Sequence, residues 1–118
     1  PNWASETADQ LLREPIRMKQ QIREALDGIE PDMPAYQKIA GLARIRSVAQ
    51  KDAGKPVVRM FAEELVQMAQ QEENEDVLAM LSTILTRMSG IPCDLNQENA
   101  LEEWLEMFGE RYPELSDV

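Results

Sequence analysis

Residues 75–90 read EDVLAMLSTILTRMSG, and this stretch decides the fold class. Val77, Leu78, Leu81, Ile84, Leu85 and Met88 recur at intervals of three and four, the period of one face of an α-helix. Asn74 stands just before as a capping residue, and Glu75 and Asp76 favour the positive end of the helix dipole. Gly90 supplies the stop. The spacing predicts a helix over 75–89.

The same period runs outward in both directions. Towards the N-terminus, Pro56 opens a helix over 56–70 with the stripe Val57, Val58, Phe61, Leu65, Met68 and Ala69. Before it, Ile39, Leu42, Ala43 and Ala49 predict a helix over 34–53 that Gly54 ends. A segment over 15–28 carries Met18, Ile22, Ala25, Leu26 and Ile29, with Gly28 at its close. The first helix, 5–14, has Ser5 as its cap and Leu11 and Leu12 as its apolar residues. Pro15 separates these two segments, because proline lacks the N–H donor and crowds the preceding turn; one kinked helix through both is the alternative. Towards the C-terminus, Asp94 with Gln97 three residues later has the form of a capping box. It predicts a helix over 95–109 with Leu101, Trp104, Leu105 and Phe108 on one face. Strand signals are missing: alternation is never sustained, and no Asn-Gly or Asp-Gly turn joins two strand-like runs. The expectation is an all-α, single-domain bundle spanning residues 1–118, with five or six antiparallel helices arranged as stacked hairpins.

Composition narrows the chemistry. The 118 residues contain one cysteine, Cys93, and no histidine. An internal disulfide is therefore impossible, and the commonest zinc ligand and neutral-pH general base are both missing. A di-metal bundle site would want Glu-x-x-His pairs, which this chain cannot supply. Glu63-Glu64, Glu72-Glu73 and Glu102-Glu103 are adjacent pairs that point about 100° apart on a helix, not into one site. Cys93 has no base to activate it, although a following helix N-terminus could lower its pKa. No phosphate-binding glycine loop or calcium loop occurs. The chain is expected to be non-catalytic, without cofactor or metal. With no long apolar run and no leader-like N-terminus, the default compartment is the cytoplasm and no membrane partner is expected.

Charge is uneven. Residues 1–60 carry ten basic and eight acidic residues, whereas residues 61–118 carry two basic and fourteen acidic ones, for a total of −10. Lys38, Arg44, Arg46, Lys51, Lys55 and Arg59 form the basic concentration. A nucleic-acid-binding regulator using this patch is one reading, since phosphate neutralisation dominates such affinity. Pro56 at the start of the would-be recognition helix and the acidic C-terminal half both oppose it. The preferred reading is a protein–protein interaction module, an adaptor, chaperone or regulator. Its partner-binding face is Leu101, Trp104, Leu105 and Phe108, an aromatic anchor bordered by acids. The same face would also serve as a terminal helix closing its own core. A homo-oligomeric structural protein is the further alternative, with the basic half of one copy meeting the acidic half of another. Small size, low pI and an amphipathic C-terminal helix give a profile similar in composition to bacterial secretion chaperones and small phage-encoded regulators. Seven methionines are present; Met60, Met68, Met80 and Met88, on or beside the stripes of 56–70 and 75–89, are expected to form a soft core, with a surface adaptable to several partners as the alternative. Trp3 is left as a lid or an exposed contact.

Overall fold

The computed structural model describes the backbone of residues 2–116 and the side chains of residues 13–115. The chain is all-helical: α1 (Asn2–Asp27), α2 (Ala35–Ala49), α3 (Lys55–Arg59), α4 (Ala62–Gln71), α5 (Glu75–Ser89), α6 (Ala100–Arg111) and α7 (Pro113–Ser116). The α5 boundaries agree with the sequence reading because both ends are set locally. Asn74 accepts hydrogen bonds from the Asp76 and Val77 N–H groups, and Gly90 takes the left-handed conformation at φ 75°.

Elsewhere the boundaries shift, each for a physical reason. The expected helices 5–14 and 15–28 form one continuous α1 with Pro15 inside it. The flanking leucines, arginines and methionine are good helix formers, and proline removes one donor from the ladder without ending it. Residues 13–17 are all exposed. Five consecutive exposed positions cover more than a full turn, so no face of this turn is buried against the described residues. The first buried residue of α1 among those described is Met18. The side chains of Trp3, Ser5, Leu11 and Leu12 lie outside the described residues.

The helix expected over 34–53 ends at Ala49, and a turn carries the chain to Gly54. A Cβ on Gly54 would lie 2.1 Å from the Val48 carbonyl oxygen, so that turn closes on a residue without a side chain. Gly54→Ala is expected to cost about 1–3 kcal/mol through overpacking, read as a lower melting temperature; an unchanged melt would mean the turn relaxes freely. The helix expected over 56–70 divides into α3 and α4. Phe61 N–H bonds the Val58 carbonyl and Met60 N–H bonds the Val57 carbonyl, both three-residue turns that bend the axis. The bend lets Val57 and Val58 as well as Leu65 and Ala69 reach the core.

α5 is the centre of the fold, touching α2, α3 and α4, while α1 closes over α2 and α3. Val77, Leu81, Ile84, Leu85 and Met88 are fully buried, joined by Ile22, Leu42, Ile45 and Leu65. Met88 is core as expected. Met68 and Met80 are half-buried at its edge, and Met60, at the bend, is exposed.

The last helix starts later than the sequence suggests. Asp94 does not cap a helix; its carboxylate and carbonyl accept from Asn96 and Gln97 N–H in a turn. Residues 91–95 run back along α5, held by a row of hydroxyls on its face. Ser89 Oγ accepts from Ile91 N–H at 3.0 Å, Thr86 Oγ1 from Cys93 N–H at 3.0 Å, and Ser82 Oγ from Leu95 N–H at 2.8 Å. Steps of three and four along the helix thus match steps of two along an irregular segment. This return strip carries the chain back to the start of α5, where Asn96 Nδ2 donates to the Glu75 carbonyl at 3.2 Å. α6 therefore sets out in the same general sense as α5, which departs from strict antiparallel alternation.

Candidate functional site: a slot between α4 and α6

α6 is attached through a narrow seam. Trp104 and Phe108 are buried and stack at 4.6 Å between ring centres, and Tyr112 continues the ladder at 5.1 Å. The ladder is fixed to the C-terminal end of α5. Trp104 Nε1 donates to Ser89 Oγ at 3.1 Å, and Tyr112 OH donates to the Ser89 carbonyl at 2.9 Å. Arg111 reaches the same carbonyl at 3.2 Å, and Arg59 donates to the Met88 carbonyl at 2.7 Å while lying over the Tyr112 ring. Two guanidinium groups thus sit where the helix dipole is negative and the last carbonyls lack helical partners.

Because the seam is narrow, α6 does not close against α4. Between them runs an apolar slot of about 380 Å³. Ala62, Glu63, Val66, Gln67 and Gln70 of α4 form one wall. Leu105 and Phe108 form the other, Trp104 lies at the floor, and Leu115 of α7 closes one end. A second recess continues past Gln70 and Leu105 to Leu101, Glu102 and Leu95. Residue 62 lies at the Phe108–Leu115 end and residue 70 at the Leu101 end, so α4 and α6 are antiparallel across the slot. Leu105 is 37% exposed and Leu115 40%.

The four residues of the sequence-derived aromatic face therefore divide. Trp104 and Phe108 belong to the core and form the base of the slot, Leu101 is half-buried, and Leu105 is presented at the rim. The α4 wall was not legible as part of a site. Its one signal is Val66, an apolar residue beside the stripe made by Leu65 and Ala69. Ser82 and Ser89 were also missed, although two serines seven apart on an otherwise apolar face are a readable sign of buried hydroxyl work.

The basic residues do not assemble into one surface. Lys38 is 11% exposed at its side chain and bonds Glu72, 8% exposed, at 2.9 Å. This pair lies beside a small recess of about 230 Å³ walled by Leu26, Ile29 and Met68. Burial opposes the charge of Glu72. Hydrogen bonds from Lys38 and from the Asn74 N–H outweigh it and hold the carboxyl below its usual range. Arg59 is engaged with α5 and Tyr112, Lys55 pairs with Asp52 at 3.2 Å, and Arg44 stands 4.0 Å from Glu24. Arg46 and Lys51 have no ion-pair partner among the described residues. Arg23, outside the expected patch, joins Glu64 in a two-pronged pair and lies over Phe61.

Cys93 is half-buried on the return strip. Burial first, and then the neighbouring Asp94 charge, push its thiol up to about 11. That reverses the lowering a nearby helix N-terminus would bring, since α6 begins seven residues later. Among the described residues no group of three or more His, Cys, Asp or Glu side chains is placed to hold a metal ion, and no helix is long and apolar enough to cross a membrane.

Fold and slot together define an all-helical chain with an apolar recess between α4 and α6. Comparison with known protein families, with curated proteins and with solved structures found no match to this chain.

Proposed function

We propose that this protein is a protein–protein interaction module that works by presenting the α4–α6 slot, and not by catalysis. The observation that carries the reading is the slot itself. It is an apolar recess, floored by Trp104 and Phe108, that the protein's own described residues leave open. Bringing α6 onto α4 would bury Leu105 and Leu115, a gain of roughly 25 cal/mol per Å² removed from water, but would also desolvate Gln67 and Gln70 and bring Glu63 towards the acids of α6. An open apolar recess with a few polar groups at its edge is the kind of surface on which partners dock, and this supports the reading. The dispersal of Lys38 and Arg59 into internal contacts draws support away from a nucleic-acid role for the basic patch.

A photo-reactive phenylalanine replacing Leu105 is expected to give a discrete protein adduct in cells that make the protein. The same group replacing Arg44, exposed on α2 beside Glu24 and outside the slot lining, should give none. Equal adducts at both positions, or none at 105, would overturn the reading.

A further inference from the structure

From the slot's charge and dimensions we infer that its occupant is a basic amphipathic helix of a partner protein, laid between α4 and α6. This inference rests on the slot being a docking site and adds what docks there. The argument begins with shape. α4 and α6 are antiparallel walls, and residues 62–70 give the slot a length of about 12 Å at 1.5 Å per residue. The recess beyond Gln70 extends it by another turn or so. Two to three helical turns fit that length, and they present three apolar anchors at positions i, i+3 or i+4, and i+7. The walls expose side chains and no unpaired sheet edge, so a strand would find no backbone ladder to join. A helix satisfies its own backbone and asks only for apolar contact along one stripe.

Charge then selects the sign of the partner. Glu63 and Glu102 line the slot, and no lysine or arginine lines either section of it. Glu106 follows one turn after Glu102 on the same side of α6, and Glu114 precedes Leu115 at the closed end; both are exposed. A helix with lysines or arginines flanking its anchors meets opposite charge on both walls, whereas an acidic helix meets like charge on both. Exposed pairs of this kind steer encounter and choose between partners more than they add affinity. They are also screened beyond about 8 Å at physiological ionic strength.

The test uses the whole protein and three synthetic helical peptides of sixteen residues with leucine anchors at i, i+4 and i+7. One carries flanking lysines, the second glutamates at the same positions, and the third the lysine composition in scrambled order. Backbone amide shifts in the full chain report where each binds. The lysine peptide is expected to move amides of α4 and α6 and to bind at least tenfold more tightly than the other two. Its affinity should fall severalfold from 50 to 500 mM salt, and Leu105→Glu should weaken it at least tenfold without altering the helical spectrum. Equal binding of the lysine and glutamate peptides in the slot would overturn the basic partner while leaving the docking reading intact. Shifts confined to other surfaces, or absent, would overturn both. Concentration-dependent self-association that Leu105→Glu abolishes would name a second copy as the occupant and so overturn the inference.

Discussion

Trp104→Ala is expected to destabilise the domain by about 3–5 kcal/mol, the usual cost of emptying a buried large aromatic site. That is a large part of the roughly 5–15 kcal/mol a domain of this size possesses. Trp104 is 1% exposed and stacks on Phe108, so its removal opens a cavity beneath α6 and frees the neighbouring ring. The hydrogen bond is the smaller part of the effect. Ser89 Oγ keeps the Ile91 N–H and still donates to the Leu85 carbonyl when the indole is gone, so no buried polar atom is stranded. Trp104→Phe, which loses the Nε1 donor but retains a ring, should therefore cost only about 1–2 kcal/mol. Ser89→Ala works the other way, leaving the indole N–H and the Ile91 N–H without their acceptor, and should cost about 2–3 kcal/mol. Urea unfolding followed by circular dichroism gives all three. If Trp104→Ala lay within 1 kcal/mol of the parent, the seam between α5 and α6 would be held by something other than this ring.

What the sequence made legible follows from the range of each interaction. α5 was readable at both ends because its cap, its dipole-matched acids and its glycine stop all lie within a few residues of the helix. The all-helical class was readable for the same reason, since a period of 3.6 is a local property. Failures came where a distant group intervened. The Asp94–Gln97 pair has the form of a capping box, yet Ser82, thirteen residues before Leu95, claims the backbone there and delays α6 to Ala100. The bend between α3 and α4 lets two apolar stripes serve one core, and nothing local to Met60 or Phe61 announces it. The aromatic face of α6 was visible as a pattern, but pattern alone gives Trp104 and Leu105 equal standing. Only the packing of α6 on α5 sends one to the core and the other to the rim. The α4 wall of the slot depends on where two helices fail to meet, which is a tertiary fact. The same holds for the basic cluster. Six cations within 22 residues of sequence look like a surface, and the fold scatters them because Lys38 and Arg59 each find a partner about thirty residues away.

Lys38→Met should show that scattering as a pH-dependent loss of stability. The Lys38–Glu72 pair is largely removed from water, and deleting one partner of such a pair strands the other. Glu72 would keep the Glu73 and Asn74 N–H groups as donors, which softens the loss, so the expected cost near pH 7 is about 2–4 kcal/mol. The pH profile separates charge from packing. In the parent, the Glu72 carboxyl is held below its ordinary value of 4.5, so the folded state binds its proton less readily than the unfolded chain. Its contribution is complete above that ordinary value and disappears as pH falls through the lower folded value. Removing Lys38 deletes the strongest opposing influence and leaves burial to push the Glu72 carboxyl upward. The variant's folded state then binds the proton more readily than the unfolded one, so stability is lost as pH rises through the raised value. The difference between parent and variant should therefore be greatest near pH 7 and shrink steadily towards pH 4. Adding Glu72→Gln to Lys38→Met should recover part of the neutral-pH loss, because a neutral amide can still accept from the backbone N–H groups without a stranded charge. A deficit of constant size from pH 4 to 7 would instead mean that the methylenes of Lys38, packed beside Leu26 and Met68, are what α2 contributes at this junction, and that the ion pair adds nothing to the fold.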